Sequence, residues 1–199
     1  MKKLAIFLAA VLLLAAARTH SQSGDGTISV VLVAERGEIE VVLDAKRAPG
    51  TVANFLHYVD GKFYDGGIIH RTVTIHPDNQ PKNKIKIEVI QGGIDPSRAK
   101  QDGKPIPLER TNATGLKHLD GTISMARDGP DTATSDFFIC VGDQPSLDFG
   151  GQRNPDGQGF AAFGQVVRGM DVVRAIQSAP ADGQSLKPPL KILKASRKT

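Results

Sequence analysis

Short runs of alternating apolar and polar residues fill most of this chain, separated by clusters of glycine, proline, asparagine and aspartate. Residues 27–33 are rich in β-branched side chains, and 38–43 alternate as Glu-Ile-Glu-Val-Val-Leu, the period of a half-buried strand. The Arg36-Gly37 break between them predicts a hairpin turn. The period then changes. Ala48-Pro49-Gly50 leads into residues 51–59, and Gly61 lies just beyond. Proline early and glycine late punctuate a helix whose Val52, Phe55, Leu56 and Val59 share one face. Strands are predicted again at 68–74, 85–91, 121–126, 137–141 and 160–167, and a second helix at 169–177 with Met170, Val173 and Ile176 inward. Residues 190–193 fit a last strand. The two long loops, 76–83 and 147–159, are of a length that tends to carry function. About eight strands with only two helices predict a closed antiparallel barrel with helical plugs, although periodicity alone allows a sandwich as well.

The amino terminus follows a different pattern. Met1-Lys2-Lys3 precedes an apolar run from residue 4 to 17, and small residues at 15 and 17, or 19 and 21, offer cleavage sites. This is the layout of a secretory signal peptide, expected to span residues 1–21. The run is shorter than the ~20 residues of a membrane span, and no stable insertion is expected after cleavage. A flexible leader at 22–26, one domain at 27–195 and a basic tail at 196–199 complete the expected organisation, with export to a periplasm or the medium.

Charge and cysteine content change with that reading. Lys2, Lys3 and Arg18 precede the first acid, so a cut after Ser21 removes three of the four net positive charges and leaves +1. The balance gives no support for a nucleic-acid partner, and the tract Lys82-Asn83-Lys84-Ile85-Lys86 reads as the solvated face of a strand. Cys140 is the only cysteine, which excludes an internal disulfide. Its apolar setting favours a small buried hydrophobe over a reactive thiol. The histidines at 20, 57, 70, 76 and 118 lack metal-ligand spacing, residues 150–159 lack the Lys-Ser/Thr ending of a phosphate loop, and no Gly-x-Ser-x-Gly elbow occurs.

What remains is an ordered set of segments: Phe63-Tyr64-Asp65-Gly66-Gly67-Ile68-Ile69-His70-Arg71, then Val89-Ile90-Gln91-Gly92-Gly93, then Gly121-Thr122-Ile123-Ser124-Met125-Ala126. Residues 129–140, containing Ser135-Asp136-Phe137-Phe138, follow, and after them Leu147-Asp148, Phe160-Ala161-Ala162-Phe163-Gly164 and Gly169-Met170-Asp171-Val172-Val173. From about Gly37 to Ile192 the chain resembles the cyclophilins. The resemblance implies a mainly β fold, an eight-stranded antiparallel barrel capped by two α-helices. It also implies peptidyl-prolyl cis–trans isomerisation of proline-containing unfolded or extended polypeptides, without metal or cofactor. One compact domain with no coiled-coil pattern leans towards a monomer.

Matched position by position, the resemblance makes Arg71 the catalytic arginine. It sets Val89, Phe138, Leu147 and Phe160 around the proline ring and Gln91 beside Arg71. Main-chain groups of Ala126 and Arg127 would grip the peptide. Phe137 reads as ordinary core, and His70 as a satisfied barrel histidine rather than a proton shuttle.

The chain also departs from the family pattern. Asp136 stands where many members carry glutamine; reaching Arg71, it would make a charge-assisted pair that either holds the guanidinium or competes with substrate. Ser146 takes the place of a tryptophan that helps bind cyclosporin, so weak inhibition is expected. Phe160 replaces a histidine. Residues 75–87 are longer than usual, and the family's pocket phenylalanine has no clear match there, Glu88 being the nearest. Two other readings stay open: a proline-binding module on the same fold without catalysis, and a hollow carrier of a small apolar ligand.

Overall fold

The computed structural model describes residues 26–198. The expected signal segment, residues 22–25 of the leader and Thr199 lie outside the described residues. β1 (Thr27–Ala34) and β2 (Gly37–Asp44) form the expected hairpin, with Ala34 opposite Gly37. α1 (Pro49–Asp60) follows, then β3 (Ile68–Val73), β4 (Val89–Gly93), a single turn α2 (Thr111–Thr114), β5 (Thr122–Met125), β6 (Phe137–Cys140), β7 (Ala161–Arg168) and α3 (Met170–Gln177). A two-residue β8 (Ala181–Asp182) turns back into the long β9 (Ser185–Arg197).

Around the sheet the order is β1-β2-β7-β5-β6-β4-β3-β9, every neighbouring pair is antiparallel, and β9 returns to β1. Eight strands therefore close into a barrel and leave no open edge. The sandwich alternative is ruled out by the β1–β9 pairing.

The interior is filled. Val30, Val41, Leu43, Ile123, Ile139 and Phe163 are fully buried there. Phe55 of α1 plugs the same core, its ring 5.2 Å from Phe163 and edge-on to Phe137 at 5.7 Å. Burying one such ring stabilises by roughly 2–3 kcal/mol. A hollow carrier is incompatible with this packing. No side chain of the preceding turn caps α1. Instead Glu109, from a distant loop, accepts from the amides of Gly50 (3.1 Å) and Thr51 (2.7 Å) and from the Thr51 hydroxyl (2.6 Å). A carboxylate at that end also suits the helix dipole.

Two strands differ from expectation. β4 starts at Val89 rather than at 85, because the buried side chain of Gln80 takes the backbone groups a ladder would need. Its Nε2 donates to the carbonyls of Ile87 (2.6 Å) and Thr74 (3.2 Å), and its Oε1 accepts from the Ile87 amide (3.2 Å). Lys82, Asn83 and Lys84 are solvated as expected, but in this loop and not on a strand. β9 is far longer than 190–193 and runs past the expected boundary at 195, through Arg197. Pro188 and Pro189 fit because β9 bulges away from β3 between Leu190 and Ser185, so neither needs to donate to the ladder.

Candidate active site

Strand register assembles the site. Arg71 on β3 pairs with Gln91 on β4, Gln91 pairs with Phe138 on β6, and Phe138 pairs with Ser124 on β5, so these residues lie abreast on one row of the barrel wall. Side chains alternate across a strand. On β6 this turns Phe137 and Ile139 into the core, while Phe138 and Cys140 join Val73, Ile87, Val89 and Leu147 in a second apolar cluster on the outer face. The cluster floors a groove of about 410 Å³.

Arg71 forms one wall. Its Nη1 donates to Gln91 Oε1 at 2.8 Å, and its Nε and Nη2 both donate to Gln184 Oε1, at 2.9 and 2.6 Å. Burial lowers its pKa from the usual arginine value, and the two carbonyl oxygens supply dipoles where water would otherwise solvate the charge. A second guanidinium, Arg153, lines the groove and donates from Nη1 to Gln80 Oε1 (3.0 Å) and to the carbonyl of Ile85 (2.6 Å). Burial, with the charge of Arg71 next, lowers its pKa too.

The floor is braced from behind. Phe138 meets Phe160 edge-on at 5.3 Å, and on its other side lies parallel to the fully buried ring of His118 at 5.9 Å. His118 Nδ1 donates to Asp148 Oδ1 at 2.8 Å, since an ionised carboxylate can only accept. Its Nε2 faces Ser124 Oγ at 3.0 Å. Burial alone would raise the pKa of Asp148, but the bonds from His118 and the nearby Lys117 hold it below the usual carboxylate value.

Each sequence-predicted site residue lines this groove: Arg71, Val89, Gln91, Ala126, Arg127, Asp136, Phe138, Leu147 and Phe160. Several sit there in unexpected ways. The Ala126 amide is already bonded to the carbonyl of Asp136 at 2.9 Å. Arg127 contributes its side chain as well. Its buried guanidinium donates to the Gly159 carbonyl from Nε (2.8 Å) and Nη2 (2.6 Å) and to both Asp156 oxygens (2.7 and 3.0 Å), and it stacks 5.0 Å over the Phe160 ring. One side chain thus pins the 147–159 loop and orients a floor residue.

Asp136 does not pair with Arg71. Its Oδ2 accepts from Gln91 Nε2 at 3.0 Å, and His70 Nε2 lies 3.5 Å from the same oxygen. His70 is not a barrel-interior histidine either. The β3–β4 register shifts between Ile69 and Arg71, and this bulge carries His70 out towards Asp136, one-third exposed. The gap near the insertion is filled by Ile87, buried against the floor; Glu88 points elsewhere, accepting from the Ile75 amide at 3.4 Å. Gln80, Gln184 and Arg153 went unnoticed in the sequence. Each acts through a partner distant along the chain or inside the insertion, where no periodicity announces it.

The comparisons agree with this geometry. The family model for cyclophilin type peptidyl-prolyl cis-trans isomerase/CLD matches residues 29–197. Peptidyl-prolyl cis-trans isomerase A of Dickeya dadantii is 40% identical over 154 residues, covering 77% of this chain and 73% of that protein. A peptidyl-prolyl cis-trans isomerase of Acinetobacter baylyi is 32% identical, covering 100% of this chain and 97% of that one. The crystal structure of a Cryptosporidium parvum cyclophilin type peptidyl-prolyl cis-trans isomerase superimposes with a TM-score of 0.68 at 21% identity, covering 87% of this chain and 98% of that chain, which supports the fold. A closed eight-stranded barrel, an arginine held over an apolar groove and a family match spanning nearly every described residue lead to one conclusion: the chain belongs to the cyclophilin-type peptidyl-prolyl cis–trans isomerase family.

Proposed function

We propose that the Arg71 groove is where this isomerase rotates X-Pro bonds, with Arg71 as the catalytic group. The chain is a peptidyl-prolyl cis–trans isomerase, and its substrates are proline-containing polypeptides. Amide resonance sets a barrier of ~18–20 kcal/mol against rotation. In the twisted state the resonance is broken and the prolyl nitrogen recovers a lone pair. A cationic donor fixed beside that nitrogen favours the twisted state over either planar one. The observation that carries this reading is the clamp on Arg71: Gln91 and Gln184 hold the guanidinium beside a floor of Phe138, Leu147, Phe160, Val89 and Ile87. The apolar floor takes the ring, and the guanidinium meets the nitrogen. Lowering the barrier by ~6 kcal/mol would speed rotation about 10⁴-fold. The test is cis–trans exchange of an uncharged Ala-Pro peptide, followed by NMR, with wild type and a folded Arg71→Ala variant. Loss of nearly all catalysis in the variant supports the assignment; equal rates in both overturn it.

Residues 1–21 are proposed as a signal peptide and the remainder as a monomeric enzyme working in a periplasm or the medium on the folding of exported proteins. The basic start and the apolar run support the signal peptide. Mass spectrometry of the exported protein checks it: a first residue near 22 is expected, and an intact Met1 with all protein retained inside the cell refutes it.

A further inference from the structure

Asp136, the last residue before β6, places a carboxylate behind Gln91. Its Oδ2 accepts from Gln91 Nε2 at 3.0 Å while Gln91 Oε1 accepts from Arg71 Nη1 at 2.8 Å. A primary amide has one accepting end and one donating end, and turning it over exchanges them. An ionised carboxylate can only accept and a guanidinium can only donate. Both neighbours therefore demand the same orientation of Gln91. A neutral amide at position 136, the commoner residue type in the family, would satisfy either orientation, and the demand would then come from one side alone. Space for the carboxylate is provided by Gly93, where a Cβ would overlap Asp136 Oδ1.

We propose that Asp136 is a positioning residue for the isomerisation, fixing the amide of Gln91 and through it the guanidinium of Arg71, and that it does so only while ionised. This rests on Arg71 being the catalytic group. The groups facing the carboxylate are Gln91 on β4, His70 on β3, and Asp102 and Asp128 on the loops that line the groove. Burial raises the pKa of Asp136 above the ordinary aspartate value; the Gln91 bond and the charge of His70 oppose this, and the two other carboxylates reinforce it. The nearby phenol of Tyr64 stays neutral, buried and donating to the Ser135 carbonyl at 2.7 Å. As pH falls through the raised value, Asp136 gains a proton and Gln91 Nε2 loses its charged acceptor. Gln91 is then oriented from the Arg71 side alone, and its hold on the guanidinium loosens. Activity is therefore full above that value and declines below it.

The experiment is exchange NMR on an uncharged Ala-Pro peptide between about pH 3 and 8, spanning the carboxylate and histidine ranges. Wild type should show an acid limb in kcat/KM with its midpoint above the ordinary aspartate value of ~3.9. Asp136→Asn should have a plateau lower by roughly fivefold, the worth of about one hydrogen bond, expressed in kcat, and no acid limb. Its thermal midpoint should be unchanged or higher, because a desolvated charge has been removed. Gln91→Ala with Asp136→Asn should match Gln91→Ala alone, since the second residue acts through the first. His70→Gln should keep the acid limb. The proposal is overturned by a wild-type profile without an acid limb, by an Asp136→Asn variant that keeps wild-type rates or the limb, by additive effects in the double variant, or by loss of the limb in His70→Gln. Full activity in Arg71→Ala would instead remove the reading beneath it.

Discussion

Gln184 Oε1 accepts from two nitrogens of Arg71 at once, Nε at 2.9 Å and Nη2 at 2.6 Å. That geometry uses the edge of the guanidinium fork and leaves little freedom about the last side-chain torsions. Gln184 is itself tied down, its Nε2 donating to the Asn79 carbonyl at 3.2 Å. Gln184→Ala should therefore lower kcat by roughly fivefold to tenfold, the worth of one or two such bonds, while the unfolding midpoint hardly moves. Steady-state kinetics by peptide exchange, alongside thermal unfolding, would show it; an unchanged kcat would mean Gln91 alone holds the arginine.

The inserted segment is organised around Gln80, 2% exposed and bonded to Thr74, Ile87 and Arg153. Truncation to alanine strands buried backbone groups and one guanidinium donor. Gln80→Ala should cost about 2–3 kcal/mol in urea unfolding. Amide exchange at Ile87 should quicken more than exchange at Ile139 in the core.

Arg127→Lys keeps the charge but not the fork. An ammonium is a compact point charge and lacks the planar fork that reaches the Gly159 carbonyl and both Asp156 oxygens from separate nitrogens above Phe160. The 147–159 loop should loosen and KM rise several-fold with kcat nearly constant, and limited proteolysis should find new cleavage inside that loop. A parallel fall in kcat would instead implicate Arg127 in the chemical step.

Asp148 predicts an acid-dependent part of stability. Its folded pKa is depressed, so the stability it contributes is present above the unfolded value of about 4 and is lost as pH falls through the lower folded value. Asp148→Asn should reduce stability at neutral pH by about 2 kcal/mol, the scale of a hydrogen bond to a charged group. Between pH 5 and pH 2 the variant should lose less stability than wild type. Denaturant titrations at several pH values measure both, and identical slopes would show that His118 is held by something else.

Local sequence carried a good deal of this. The alternation in 38–43, the Pro49 and Gly61 punctuation and the Phe137-Phe138 alternation each fixed an element or a facing, because a period of two or 3.6 is written in neighbouring residues. A closed barrel was expected, but which strand closes it was not legible, since nothing in 185–197 shows that one strand pairs with both β1 and β3. Proline at 188 and 189 is unfavourable inside a strand, and the bulge removes the conflict. The site divides the same way. Arg71, Gln91 and Phe138 stood in recognisable segments, whereas Gln184 lies 113 positions from Arg71 and the Asp136–Gln91 contact spans 45. Whether Asp136 would meet Arg71 or Gln91 depended on strand register, which residue types alone do not set.

The wall that closes on β9 has a consequence for the timing of synthesis. Chains emerge from the ribosome amino terminus first, and β3, which bears Arg71, lacks one neighbour until β9 is made. Gln184, the second anchor of the arginine, directly precedes β9. A nascent chain that already carries Arg71, Gln91 and Phe138 still has an open wall and a loose guanidinium. Catalytic competence therefore waits for residues 184–197, and copies cut short before them lack both the closed wall and the second anchor of the arginine.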